Sequence, residues 1–224
     1  MKLHYHPAST TSRPIMLLAA EESIPLDYQL VDLFTGAHLQ EDYTRINPSQ
    51  QVPLLEDGDF RLTESSAILK YLAEKAGSAT YPKDLRQRAR VNEMMDWLNT
   101  GLLRELGYGL VYPQTLPHHK REAAAVQAAH LAWGCEKARR WLTILDRDLL
   151  GAKAFLCGDQ HTIADYLGVC FITVGEVTRF DYSPWKNVSR WIATMKARPS
   201  WDKVNEGFYS GFVAPYKDAS FVGL

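Results

Sequence analysis

An excess of one charge sign, long apolar runs and paired cysteines are all missing from this 224-residue chain. Lysine and arginine number 25 against 26 aspartates and glutamates, a formal net charge of −1, so no broad field gathers nucleic acid or an anionic membrane surface. No stretch approaches the roughly 20 apolar residues that span a bilayer, and the segment from Met1 to His6 lacks the apolar core of a signal peptide. The expectation is a cytoplasmic protein with no membrane partner. Cys135, Cys157 and Cys170 form no C-x-x-C pair, as expected of reduced thiols packed as small hydrophobes. Metal chemistry has no sequence support either. The pair His118-His119 follows Pro117 without a second His or Cys at ligand spacing, which reads as a solvated loop and not as a zinc site.

What is present is an ordinary globular composition, 46% hydrophobic and 23% charged, long enough for two modest domains. The first half reads as α/β. Lys2 to His6 alternates as a short strand and runs into the small polar cluster Pro7-Ala8-Ser9-Thr10-Thr11-Ser12. A helix then follows from Arg13 to Glu21, with Ser12 placed to cap it and Pro14 in its first turn. Alternation at Leu26, Tyr28, Leu30 and Leu33 predicts a second strand, completing a β-α-β unit. After a polar segment from Phe34 to Gln51, Asp57-Gly58 marks a hairpin. Ile68, Leu69 and Leu72 then place a helix over 65–76, stopped by Gly77.

From Ser78 to Leu85 the chain becomes a linker, and no convincing strand follows it. Helical patterns cover 85–112, 119–149, 162–179, 187–196 and 201–207, broken at Pro113, Pro117, Pro184 and Pro199. All six tryptophans lie in this half, where bulky side chains at helical spacing read as packing. The expected architecture is an α/β domain over residues 1–78 followed by an all-α domain over 86–224.

Three features carry possible chemistry. Hydroxyls before the first helix sit beside unsatisfied N–H groups and the positive end of a helix dipole, where a thiol ionises more readily than in water; they also read as plain caps. Val52-Pro53 precedes a hairpin strand, where a cis bond would turn the backbone of Val52 toward an extended ligand; an ordinary edge-strand proline fits too. Glu64-Ser65 opens the next helix, with N–H groups suited to a carboxylate and a negative charge suited to an ammonium.

In this order and spacing, the three resemble the glutathione S-transferase family. The resemblance runs through Lys2-Leu3-His4-Tyr5-His6-Pro7 with Ser9 behind it, Ile46-Asn47-Pro48, Val52-Pro53-Leu54 and Leu62-Thr63-Glu64-Ser65-Ser66-Ala67-Ile68. It continues in Gly158-Asp159-Gln160-His161-Thr162-Ile163-Ala164-Asp165, which is similar to the family's helix-capping box. What the resemblance implies is a thioredoxin-like domain followed by a helical bundle, forming a homodimer that uses glutathione as co-substrate and needs no other cofactor. By position, Ser9 resembles the activating serine of theta- and delta-like members. Thr10, Ser12, His38, Gln50, Gln51, Val52, Pro53, Glu64 and Ser65 would line the glutathione site. Tyr108 and Tyr112 would face a small hydrophobic electrophile, with Trp97, Phe208 or Tyr216 nearby. Beta-like bacterial members place a cysteine where Thr10 stands, so mixed-disulfide chemistry is not expected there. Tyr5 matches the tyrosine used by alpha-, mu- and pi-like members, while Thr11 and Ser12 extend the hydroxyl cluster. The expected activity is conjugation. Glutathione-dependent disulfide reduction or peroxidase activity, and a non-catalytic scaffold, are the alternatives.

Overall fold

The structure is a computed structural model that describes residues 1–223. Its first domain is built from β1 (Lys2–Tyr5), α1 (Arg13–Glu21), β2 (Asp27–Leu30), α2 (Glu41–Ile46), β3 (Leu54–Asp57), β4 (Phe60–Leu62) and α3 (Ser65–Ala76). The strands lie in the order β2-β1-β3-β4. β1 runs parallel to β2 and antiparallel to β3, pairing Leu3 with Tyr28 on one side and with Leu55 on the other. This is the expected thioredoxin-like arrangement. Ile15, Leu17 and Leu18 of α1 and Ile68, Leu69 and Leu72 of α3 bury their side chains with Leu3 and Leu55 in one core. The hairpin turns at Gly58 and Asp59, with Gly58 at a φ of 65°, the glycine-first form that matches strand twist.

One local expectation needs correction. The strand placed over Leu26 to Leu33 is confined to Asp27–Leu30, and all four of its residues are exposed. β2 is the sheet edge, and its alternation does not mark a buried face. The polar segment 34–51, for which no element was expected or excluded, holds a 3₁₀ turn at Ala37–Leu39 and the helix α2. Tyr43 of α2 packs on Val31 and Val52, closing a second small core beneath the Val52 loop.

The second domain is all-helical: α4 (Leu85–Trp97), α5 (Tyr112–Thr115), α6 (Ala124–Ile144), α7 (Ile163–Ile172), α8 (Lys186–Lys196) and α9 (Trp201–Phe208). Asp84 caps α4 by accepting from Arg86 N and Gln87 N. The helix expected over 85–112 runs on from α4 as wider π-helical turns over Leu98–Val111, where Gly101, Gly107 and Gly109 permit close packing. A Cβ on Gly134 of α6 would lie 2.2 Å from the Gly109 carbonyl oxygen, so the two backbones touch there. The capping box forms as expected: Thr162 precedes α7, and Asp165 accepts from Thr162 N at 2.8 Å, Leu156 N at 2.9 Å and Trp191 Nε1 at 2.9 Å. Burial raises the pKa of this fully enclosed carboxyl, opposed by those same donors. Trp185, Trp191 and Trp201 are core residues, whereas Trp133 is exposed. Among the described residues no helix is long and apolar enough to cross a membrane.

The domains meet along α1. Arg13 is fully buried and, among the described residues, has no carboxylate within salt-bridge distance. Its guanidinium donates to Cys170 O at 2.6 Å, Asn205 Oδ1 at 2.8 Å and Thr173 Oγ1 at 3.3 Å, and it lies 3.7 Å from the centre of the Phe208 ring. Desolvation lowers its pKa from the usual range. The linker is anchored as well: Thr80 is buried, and its carbonyl accepts from Ile163 N at 3.0 Å.

Candidate functional site

The loop between β1 and α1 is organised by Ser9. Its hydroxyl accepts from the backbone N–H of Thr11 at 3.3 Å and of Ser12 at 3.2 Å, and lies 3.1 Å from the Thr11 hydroxyl. Thr11 Oγ1 in turn donates to Val52 O at 3.0 Å. Because Thr11 spends its one proton on Val52, the Ser9 proton points to Thr11 Oγ1, giving a relay Ser9 to Thr11 to Val52. Ser9 thus caps the turn that precedes α1, while Ser12, expected to cap the helix, does not. The Ser12 side chain makes no capping bond, its hydroxyl is enclosed without a partner, and it has no exposed surface, which removes it from any ligand site.

The same relay joins the first two sequence features. Val52-Pro53 is cis, and the backbone N–H of Val52 has no partner among the described residues, although its carbonyl is held by Thr11. Gln51 is exposed, with its carbonyl accepting from the Tyr43 hydroxyl at 2.5 Å and Asn47 Nδ2 at 2.7 Å. Gln50 is exposed at a left-handed φ of 55°. His38 sits half-buried in the 3₁₀ turn beside Ala37, which packs on the small core under Val52; its Nδ1 is enclosed without a partner.

At the third corner, the order of roles changes. Glu64, not Ser65, is the N-cap of α3, and it takes a left-handed φ of 65°. Such a backbone is costly for a residue with a Cβ and collects at ligand sites. Ser65 is the first helical residue and is buried. The N–H groups of the first α3 turn have no intrahelical acceptor, which leaves them for an anionic group.

The helical domain meets the Ser9 loop through Tyr112. Tyr112 donates to Thr10 Oγ1 at 3.0 Å, so Thr10 faces the helices and its hydroxyl is already engaged. Burial pushes the Tyr112 phenol up to about 12. Tyr108 lies 5.0 Å from Tyr112, edge to face, and is 45% exposed. Burial and then the Glu64 charge raise its pKa. A cavity of about 730 Å³ opens on its far side along α6, lined by Arg104, Glu105, His130 and Trp133 among others. None of Ser9, Val52 or Glu64 lines that cavity.

Sequence reading missed one neighbour and misplaced others. His119, expected in a solvated loop, packs 5.4 Å from Tyr108 and 5.6 Å from Tyr112. No periodicity could place it, because it stands on the turn at Pro117–His119. Phe208 is fully buried under Arg13, Trp97 packs on Trp141, and Tyr216 donates to Thr115 O. Tyr5 is engaged edge-on with Tyr28 of β2. The cysteines are unpaired, and burial pushes the thiols of Cys157 to about 11 and Cys170 to about 12, which leaves them weak nucleophiles.

The class that this architecture defines is a thioredoxin-like domain fused to an all-helical domain, with the hydroxyl-bearing Ser9 loop at the junction. The family model described as glutathione S-transferase, N-terminal domain, matches residues 1–74, and that for the C-terminal domain matches residues 116–199. Glutathione S-transferase theta-1 of Bos taurus is 36% identical over 171 residues, 75% of this chain and 70% of that protein. A delta-class glutathione transferase of Nilaparvata lugens superposes with a TM-score of 0.81 at 32% identity, over 96% of this chain and 98% of that one. The apo form of human glutathione-S-transferase T1-1 superposes with a TM-score of 0.79 at 29% identity, over 95% and 89% of the respective chains. The chain belongs to the glutathione S-transferase family.

Proposed function

We propose that the protein conjugates glutathione to small hydrophobic electrophiles, with Ser9 stabilising the reacting thiolate. The observation that carries this reading is the relay from Ser9 through Thr11 to Val52 O at the start of α1. A bound thiolate beside Ser9 would accept the Ser9 O–H hydrogen bond in place of Thr11 Oγ1. Two backbone N–H groups already donate to the Ser9 oxygen, which makes its proton a better donor. The free Val52 N–H pairs with the cysteinyl backbone of the tripeptide. The first α3 turn takes the γ-glutamyl carboxylate, and Glu64 takes its ammonium. Gln51 and Pro53 shape the same strand edge, while Gln50 and His38 lie toward the glycyl end. The thiol proton leaves to solvent, the thiolate attacks the electrophilic carbon beside Tyr108, and the leaving group or the adduct's charge is discharged to solvent. Glutathione is a co-substrate, and no further cofactor has a role in this scheme. The working unit we assign is a homodimer in the cytoplasm. Calorimetric titration with glutathione, followed by conjugation assays on aryl halides, alkyl halides and conjugated carbonyls, tests the reading. Absence of binding, or binding without turnover of any of these, overturns it.

A further inference from the structure

Resting on that reading, we infer that His119 is a hydrogen-bond donor for electrophiles whose reacting carbon is conjugated to a carbonyl oxygen. The imidazole stands on the turn Pro117–His119, fixed by its backbone N–H donating to Leu116 O at 3.0 Å. It packs edge-to-face on Tyr108 at 5.4 Å and tilted on Tyr112 at 5.6 Å. Tyr112 is itself bonded to Thr10, the residue next to Ser9. His119 is thus one aromatic ring away from the loop that holds the thiolate. Neither of its ring nitrogens has a hydrogen-bond partner among the described residues, although it is half-buried. Of the two phenols beside it, the Tyr112 hydroxyl is committed to Thr10, while burial and then the Glu64 charge raise the pKa of Tyr108. Burial first, then the neighbouring His118 and Arg121, lower the pKa of His119, so near neutral pH the ring keeps one N–H and one bare nitrogen.

In conjugate addition the thiolate lone pair forms a C–S bond to the β-carbon, and the alkene π pair shifts to give an enolate with its charge on oxygen. The His119 N–H donates to that oxygen and keeps its proton. The α-carbon then takes a proton from solvent, which completes a neutral thioether. A donor aimed at a charge that develops only during reaction lowers the barrier more than it tightens binding. A simple benzylic halide develops its charge on the departing halide and gains nothing from a donor set for a carbonyl.

The test measures kcat/KM at saturating glutathione for an α,β-unsaturated aryl ketone and for a benzyl halide, in the parent and in His119→Phe, His119→Gln and Tyr108→Phe. His119→Phe keeps the ring contacts and removes the N–H. The expected result is a loss of about tenfold or more on the ketone, partial recovery in His119→Gln, and benzyl halide turnover within about twofold of the parent. Equal losses on both substrates would mean that His119 only packs, and no loss on either would mean that it is not a donor; both overturn the inference. A selective loss in Tyr108→Phe with none in His119→Phe also overturns it, in favour of the phenol. A parent that binds glutathione and turns over benzyl halide upholds the conjugation reading whichever way His119 falls. A parent that conjugates neither substrate overturns both.

Discussion

Replacing Ser9 by alanine removes the hydroxyl proposed to donate to the bound sulfur, together with the acceptor of two backbone N–H groups in the loop. In the free protein the Ser9 oxygen accepts two backbone N–H groups and sits 3.1 Å from Thr11 Oγ1. A hydrogen bond to a charged acceptor contributes about 1.5–3 kcal/mol, and each 1.36 kcal/mol is one pKa unit. The alanine variant is therefore expected to raise the thiol pKa of bound glutathione by about 1–2 units. The sign follows from which form Ser9 favours: its proton stabilises the thiolate, so its loss favours the thiol. The assay is the pH dependence of thiolate ultraviolet absorbance in the complex, run beside kcat/KM against the same pH axis. Activity of the variant should fall most on the acid side and approach the parent once pH exceeds the new midpoint. Thr11→Val is the comparison. It removes the resting acceptor of the Ser9 proton and the donor to Val52, so its midpoint moves less while glutathione affinity drops. An unchanged midpoint in Ser9→Ala refutes the assignment, and a larger shift in Thr11→Val transfers the role to Thr11.

Three further outcomes follow from the geometry. Tyr112→Phe breaks the 3.0 Å bond to Thr10 between the domains and should cost about 1 kcal/mol, a Tm decrease of about 2–4 °C read by thermal unfolding. Glu56 receives a 2.6 Å bond from His4 and one from Arg61. These hold its carboxyl below the usual range, the His4 bond first, so its stabilisation is present above the unfolded carboxylate pKa and is lost as pH falls through the folded one. Denaturant unfolding should show parent stability declining with acidification below about pH 4.5, in the usual carboxylate range, and Glu56→Gln should lack that component. At Gly207, a new Cβ would meet Pro7 Cβ at 2.5 Å. Gly207→Ala should destabilise by about 1–3 kcal/mol and raise KM for glutathione, because Pro7 leads directly into the Ser9 loop; an unchanged KM would mean that the loop does not sense that contact.

Much of the frame was legible because local rules and tertiary structure agree. Pro14 in a first turn, Gly58 in a tight hairpin, Gly77 at a helix end and the Thr162–Asp165 box each act within a few residues of themselves. What sequence could not give was decided by side-chain direction. Ser9 and Ser12 are chemically alike, and only the turn geometry sends one to the relay and seals the other. Glu64 looks like a first-turn carboxylate until its left-handed backbone makes it the cap. His119 carries no periodic signal, and its meaning comes from two tyrosines on another element. β2 alternates like a half-buried strand, yet no element covers Tyr28 and Leu30, which stay exposed.

The Ser9 loop is held as much by the helical domain as by its own sheet. Pro7 rests against Gly207, Thr10 takes the Tyr112 proton, and Arg13, the first residue of α1, is pinned to Cys170 and Asn205. These contacts bracket Ser9 on both sides, so the hydroxyl's direction is set before any ligand arrives. A buried guanidinium with no carboxylate within salt-bridge distance is a costly way to join two domains. Here three neutral acceptors and the Phe208 face offset that cost, and their geometry fixes where the helix begins. The N–H groups on Ser9 and the Thr11 hydroxyl on Val52 lie directly before α1, so under the proposed function small displacements at the domain junction would reach the thiolate through α1. On that reading the second domain would do more than face the electrophile: it would set the position of the group proposed to stabilise the nucleophile.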